Sequence, residues 1–162
     1  MFNFFRQIKF DKLNLAGDQS SIQRDGTWLS NSANLNLFNI LKTFGDCSNY
    51  HFVDFGCGKG GVLYLGAAFF NFKKITGIER EIEYIKICRE NLKKFKDVEI
   101  ICEDVCNIDI TSSMNFFYMY NPFGNKTTKK VLNNIISSFN NNNRDIYILY
   151  KNPVEHKIIL NK

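Results

Sequence analysis

Four glycines and one acidic side chain fall within nine residues of this sequence, and together they could hold a ligand. The segment Val-Asp-Phe-Gly-Cys-Gly-Lys-Gly-Gly occupies residues 53–61, with Asp54 two positions before its first glycine. Because glycine has no Cβ, such a loop lets a ligand approach the backbone closely. The charge of Asp54 would repel a pyrophosphate but attract a cationic group. The segment therefore predicts a ligand-binding loop that suits positive charge.

The spacing of the glycines fits two patterns of cofactor loop. Gly56, Gly58 and Gly61 satisfy the dinucleotide fingerprint GxGxxG, and Glu79 follows at the distance of a ribose-binding acid. Gly56, Gly58 and Gly60 equally satisfy GxGxG. The spacing alone does not choose between these patterns.

The elements that must position this loop are apolar strands that alternate with helices. The hydrophobic pattern predicts strands at residues 50–55, 73–79, 98–104, 115–121 and 144–152, and helices at 34–44, 60–70, 80–96 and 126–139. In the helix over 80–96 we expect Ile82, Ile85 and Leu92 to face the core. Near-continuous apolar strands are typical of a mostly parallel sheet with helices on both faces, and right-handed crossovers make it doubly wound. Ligands bind such α/β sheets at the carboxyl ends of the strands, where the glycine loop lies.

Four short motifs follow successive predicted strands. They are Val-Asp-Phe-Gly-Cys-Gly-Lys-Gly-Gly, Gly-Ile-Glu-Arg, Cys-Glu-Asp-Val and Asn-Pro-Phe. In this order they resemble the motifs of class I S-adenosylmethionine (SAM)-dependent methyltransferases, over roughly residues 34–152. The resemblance implies a Rossmann-like methyltransferase fold, SAM as the cofactor and methyl transfer as the activity.

The resemblance also implies individual roles. Asp54 and the loop from Gly56 to Gly60 would line the methionine part of SAM, and Glu79 would hold both ribose hydroxyls. Asp104 would accept a hydrogen bond from the adenine amino group, beside the backbone of Val105. The expected cofactor site comprises Asp54, Phe55, Gly56, Cys57, Gly58, Gly60, Glu79, Arg80, Asp104 and Val105. Two structural interpretations stay open, because Glu79 could cap the next helix and Asp104 could be an Asx-type turn residue.

Asn121, Pro122 and Phe123 are the expected catalytic residues. In methyltransferases that modify planar amino groups, an Asn/Asp-Pro-Pro-aromatic motif accepts hydrogen bonds from the target nitrogen and stacks on the target. This sequence has one proline where that motif has two, which weighs against a nucleobase acceptor, and Asn-Pro is also an ordinary turn signal. A hydroxyl acceptor would need a general base, but we expect His51 at the amino end of its strand, and His156 lies near the C-terminus. A nitrogen acceptor is therefore slightly favoured.

Length, charge and cysteine content set the remaining expectations. A chain of 162 residues predicts one domain, with residues 1–33 as a lead-in or a lid that could include Trp28, and 34–162 as the Rossmann-like core. No secretory signal or membrane span is evident, so we expect a cytoplasmic protein. Five cysteines without a CxxC pair predict neither disulfides nor a metal site, although Cys102 and Cys106 could share a metal. The net charge of +5 permits a nucleic-acid partner without favouring one.

Several functions stay open at this stage. The acceptor could be a protein lysine or a small molecule, and O-methylation of a small molecule or glycan is an alternative. A SAM-binding module without turnover is a second class, and an NAD-dependent oxidoreductase is a third that Asp54 disfavours. Only residues 154–162 follow Asn152-Pro153, whereas members of the resembled family usually close the sheet with an antiparallel hairpin. We therefore expect a sheet that lacks an edge strand or a substrate side that is reduced.

Overall fold

The computed structural model describes residues 35–155 and 157–158. Trp28, the lead-in over residues 1–33 and His156 lie outside the described residues, so the lid and the single-domain organisation stay predictions. The helices are α1 (Leu35–Lys42), α2 (Gly61–Phe69), α3 (Ile82–Leu92) and α4 (Asn125–Asn141), with a 3₁₀ turn at Val105–Asn107. The strands are β1 (His51–Phe55), β2 (Lys74–Glu79), β3 (Val98–Cys102), β4 (Phe116–Tyr120) and β5 (Tyr147–Lys151).

The five strands form one sheet in the order β3-β2-β1-β4-β5, and every neighbouring pair is parallel. The doubly wound α/β fold expected from the sequence is confirmed. Because the strands are parallel, their carboxyl ends share one edge, and the glycine loop follows the central strand β1 at that edge. Within the described residues, β5 is an edge strand with no antiparallel partner.

Alternate residues of the central strands enter two hydrophobic layers. Phe52, Phe116 and Tyr118 join one layer, which includes residues of α1, α2 and α3, such as Leu41, Leu63 and Leu92. Val53, Phe55, Phe117 and Met119 join the opposite layer, with Val131 and Ile135 of α4. Strands that are apolar on both faces are thus covered by helices on both faces, as the sequence predicted. None of the helices in the described ranges combines the length and the apolar character that a membrane crossing needs.

The expectation for one helix residue was wrong. Ile85 and Leu92 are buried as predicted, but Ile82 is 51% exposed. The helix begins at Ile82, after a turn that leaves the sheet at Glu79, and its buried residues, Ile85, Cys88 and Leu92, start three positions later. The helical spacing of apolar residues extends to the first residue of the helix, where this spacing no longer indicates which residues are buried.

Candidate functional site

The glycine loop is held against the end of β2 by its own backbone. The amides of Gly56 and Cys57 both donate to the carbonyl oxygen of Ile78, at 2.9 and 3.0 Å. Gly56, Gly58 and Gly60 have φ angles of 74°, 53° and 85°, in the region that favours glycine. The sequence uses glycine here because three residues of one short loop adopt the left-handed conformation.

Asp54 is a buried carboxyl group at the centre of the sheet. It is 3% exposed, and its register neighbours in the adjacent strands are Gly77 and Tyr118. Burial, and then the nearby charge of Glu79, raise the pKa of Asp54 to about 8. A carboxyl group of this kind is neutral at neutral pH and becomes an anion when a cation lies beside it. This chemistry fits the cationic ligand that the sequence predicted.

Glu79 joins the glycine loop to the turn between β2 and α3. Its Oε2 accepts from the Gly58 amide at 3.0 Å, while its Oε1 accepts from the amides of Arg80 and Glu81 at 2.9 and 3.0 Å. A carboxylate offers about four lone-pair positions, and these bonds occupy three. The remaining position can take one ribose hydroxyl, so binding both hydroxyls requires Glu79 to release a backbone amide.

Asp104 performs the structural role that was left open for it. Its Oδ1 accepts from the Cys106 amide at 2.8 Å, and Asp104 caps the 3₁₀ turn that begins at Val105. The loop is tied to the neighbouring strand end because the Glu103 amide donates to the Glu79 carbonyl oxygen at 3.1 Å. Asp104 is half-buried, and its second oxygen, Oδ2, has no part in the cap. The turn role and the expected adenine contact are therefore compatible.

Three predicted cofactor residues direct their side chains elsewhere. Phe55 is fully buried and stacks on Phe117, with ring centroids 5.4 Å apart. The Cys57 thiol lies against Cys88 of α3, and a hydrogen bond with Cys88, followed by burial, raises the pKa of Cys57 well above its usual value. The exposed side chain of Arg80 pairs with Glu81 at 3.4 Å. For Phe55 and Cys57 only the backbone is available to a ligand.

The predicted catalytic segment meets the glycine loop. A Cβ placed on Gly56 would lie 2.8 Å from the Cβ of Pro122, so the two loops pack at a contact that only glycine permits. Asn121 has a φ of 43°, a left-handed conformation that asparagine tolerates. Phe123 is half-buried and packs against the hydrophobic layer beneath α4. The structure thus brings the segment from Asn121 to Phe123 beside the expected cofactor loop.

His51, the histidine within the described residues, does not reach this edge. His51 begins β1 at the opposite end of the strand from the glycine loop, as the sequence predicted, and bonds Ser113 and Thr76 at 3.2 and 2.8 Å. His156 is outside the described residues. No group of three or more histidine, cysteine or acidic side chains suited to a metal occurs among the residues that the structure describes.

One polar residue at the site has no signal in the sequence. Tyr150, in the apolar strand β5, donates from its hydroxyl to Oδ1 of Asn121 at 3.3 Å. A tyrosine in a run of apolar residues is typical of a core position, and no local spacing marks it. Only the pairing of β4 with β5 brings Tyr150 near Asn121.

The sequence matches a known family, and the structure matches known folds. The profile of a family described as a methyltransferase domain matches residues 46–153. The fold resembles Thermoplasma acidophilum protein 1320, at 16% identity with a TM-score of 0.59, over 81% of this chain and 66% of that one. It also resembles Haemonchus contortus phosphoethanolamine N-methyltransferase 1, which was solved with phosphoethanolamine and S-adenosylhomocysteine (SAH). The identity is 15% and the TM-score 0.57, over 90% of this chain and 30% of that one.

A third similar structure is the 23S rRNA methyltransferase ErmE, at 17% identity with a TM-score of 0.52, over 64% of this chain and 41% of that one. This chain spans less than two thirds of the length of each of these three proteins. No protein of curated function matches the sequence. At these identities the solved structures support the fold, whereas the matched profile covers residues 46–153 and identifies the family.

Proposed function

The chain belongs to the methyltransferase-domain family, and from this premise we propose that it is a SAM-dependent methyltransferase with a nitrogen acceptor. One observation carries the proposal. At the carboxyl edge of the sheet, the glycine loop bonds Glu79 through the Gly58 amide and packs on Pro122 through Gly56. These contacts support one continuous site made of the expected cofactor loop, the acidic residue expected to hold the ribose, and the acceptor segment.

The residues of this site fit SAM better than NAD. The buried Asp54 carboxyl group, with a pKa of about 8, can ionise beside the ammonium and sulfonium charges of SAM, whereas a pyrophosphate offers it no compensating positive charge. Asp104 offers a carboxylate oxygen to the adenine amino group, a contact that the dinucleotide fingerprint does not require. Glu79 retains one acceptor position for a ribose hydroxyl, as counted above.

The chain's contribution to the reaction is mainly orientation. Bound SAM supplies a methyl group that its sulfonium already activates. Asn121 Oδ1 and the carbonyl oxygen of Pro122 can accept hydrogen bonds from an acceptor N–H and hold the nitrogen in place. His51 lies at the far end of β1, so the described residues offer no histidine base near Asn121. An amine needs only to arrive deprotonated, which favours nitrogen over a hydroxyl.

The similar folds, the single proline and the net charge all bear on the class of acceptor. One similar fold belongs to a phosphoethanolamine N-methyltransferase and another to an rRNA methyltransferase, so both small-molecule and RNA acceptors occur on it. The single proline of the Asn121 segment and the modest charge of +5 favour a small amine or a protein lysine side chain over a nucleic acid. We therefore propose an exposed primary or secondary amine as the acceptor.

The test is a methyl-transfer reaction with SAM that carries a deuterated methyl group, followed by mass spectrometry. Separate reactions contain lysine-bearing peptides, small amines, hydroxylated sugars and RNA oligonucleotides. We expect a labelled amine and a loss of about tenfold or more with Asn121→Ala, because the acceptor loses a hydrogen bond that fixes its position.

Two controls test whether the loss in Asn121→Ala comes from the contact with the acceptor. Asn39→Ala removes the same group from an exposed position of α1 and should leave the rate unchanged. SAH affinity should be unchanged in both variants. A labelled hydroxyl or base would contradict the nitrogen acceptor, and SAH binding without any labelled product would indicate a cofactor-binding module without turnover.

A further inference from the structure

The hydroxyl of Tyr150 lies beside Asn121, on an element that the catalytic segment does not include. Tyr150 is in β5 and pairs in register with Met119 of β4. Its ring packs against the hydrophobic layer that contains Met119 and Phe123, and its hydroxyl reaches Asn121 Oδ1 at 3.3 Å. The packed ring fixes where the hydroxyl lies relative to the end of β4.

A second hydrogen bond occupies an acceptor position of the Tyr150 oxygen. The Glu155 amide donates to the Tyr150 oxygen at 3.3 Å, and a backbone amide can act only as a donor. The hydroxyl donates its hydrogen to Asn121 Oδ1, the carbonyl oxygen of the side chain. The Glu155 carboxylate in turn accepts from Asn125 Nδ2 at 2.9 Å. The chain after β5 and the start of α4 thus brace Tyr150 and Asn121 together.

Resting on the proposed function, we propose that Tyr150 is a positioning residue, which orients Asn121 so that the second lone pair of Oδ1 meets an N–H of the methyl acceptor. A carbonyl oxygen has two lone pairs, and the Tyr150 hydroxyl occupies one. Without that bond the side-chain amide of Asn121 can rotate and present its NH₂ group. This group is a hydrogen-bond donor and would repel the N–H of the methyl acceptor. The specificity of the site for a hydrogen-bearing nitrogen therefore depends on Tyr150 as well as on Asn121.

Tyr150 does not serve as a general base in this arrangement. Burial raises the pKa of its hydroxyl above the usual value, so the group keeps its proton at neutral pH. A neutral phenol donates to Asn121 and removes nothing from the acceptor. This behaviour agrees with an amine that arrives deprotonated and disagrees with a hydroxyl that must be activated.

The experiment compares Tyr150→Phe with Tyr147→Phe in the full chain. Each variant removes one hydroxyl from β5, but Tyr147 lies at the other end of the strand, among Phe44, Tyr50 and Phe116. The main readout is the side-chain amide pair of Asn121 in ¹⁵N-labelled protein, assigned by its absence from the Asn121→Ala spectrum. We expect Tyr150→Phe to shift and broaden this pair, and Tyr147→Phe to leave it in place.

Two further readouts separate this inference from the proposed function. SAH titration should give the same affinity for the wild type, Tyr150→Phe and Tyr147→Phe. With the amine from the labelling experiment, Tyr150→Phe should lower kcat about tenfold, the effect of one hydrogen bond, at an unchanged KM for SAM. An unmoved Asn121 amide pair with SAH binding intact overturns the positioning role alone. Failure of the wild type to bind SAH overturns the proposed function and this inference with it.

Discussion

Because the carboxyl group of Asp54 is buried and protonated at neutral pH, we expect cofactor binding to release a proton. Its pKa of about 8 in the cofactor-free protein reflects burial first and the charge of Glu79 second. At neutral pH the free protein therefore holds Asp54 as a neutral acid. The proposed cofactor brings a positive ammonium group, which stabilises the carboxylate. Binding should then expel the proton from Asp54.

The size of the effect follows from Coulomb's law. Two unit charges in contact at about 4 Å attract with about 4 kcal/mol at an effective dielectric constant of 20. This energy corresponds to about a thousandfold shift in the ionisation equilibrium, which lowers the pKa of Asp54 from about 8 to well below neutrality in the complex. From neutral pH up to about pH 8 the free protein holds one more proton than the complex, so Kd should fall about tenfold for each unit rise in pH. The fall should end near pH 8, where free Asp54 ionises and the cofactor's amino group begins to lose its charge.

The assay is calorimetric titration with SAH in pairs of buffers that differ in ionisation enthalpy. We expect about one proton to be released per SAH at about pH 6.5, where Asp54 is protonated in the free protein and ionised in the complex. Asp54→Asn keeps the shape of the side chain but cannot titrate, so its Kd should not depend on pH in this range. Asp104→Asn is the matched control, which should weaken binding yet keep the tenfold slope. No proton release by the wild type, or the same slope in Asp54→Asn, would show that Asp54 does not lose a proton when the cofactor binds.

Two further predictions concern stability, both measured by urea unfolding. Gly60→Ala should destabilise the protein by about 2 to 3 kcal/mol, because its φ is 85° and a Cβ there would lie 2.6 Å from Cys88 Sγ. Gly45→Ala should cost only about 1 kcal/mol, because its φ is 66° but no atom lies within 4 Å of the added Cβ. Equal losses in the two variants would show that the Cys88 contact is not responsible. Burial, and then the positive charge of Lys74, lower the pKa of His51 to about 4, below the value of about 6.5 in the unfolded chain. The neutral His51 side chain therefore contributes to folding stability above about pH 6.5, and this stability is lost as pH falls through about 4. His51→Gln should reduce this acid loss by roughly 2 kcal/mol after solvent screening, and an unchanged acid profile would contradict the assigned cause.

The sequence predicted the fold well because the relevant signals are local. β1, β4 and β5 are short apolar runs that end at Gly56, Asn121-Pro122 and Asn152-Pro153, and α2 and α4 follow glycine-containing segments. The parallel arrangement follows once helices separate the strands, since the crossover rule leaves few alternatives. The predicted motifs then had to share the carboxyl edge, where the structure places Gly56 against Pro122.

What the sequence could not predict depends on side-chain direction and on distant pairing. In strands buried on both faces, the apolar pattern does not show which side chains face the core and which face a ligand. Phe55 stacks in the core, whereas the carboxyl group of its neighbour Asp54 is the one proposed to meet the cationic cofactor. Ile82 followed the helical period but stands at the start of the helix. Tyr150 meets Asn121 only through the pairing of β4 with β5, across 29 residues of sequence. Such contacts require the tertiary structure.

Calorimetric titration of the full, cofactor-stripped chain with SAM, SAH and NAD, alongside Asp104→Ala, is the decisive test of the proposed cofactor. We expect SAM and SAH to bind, NAD not to bind, and Asp104→Ala to weaken the binding of both SAM and SAH. Binding of NAD without SAM or SAH would contradict the assignment of the glycine loop, and so would the absence of any binding.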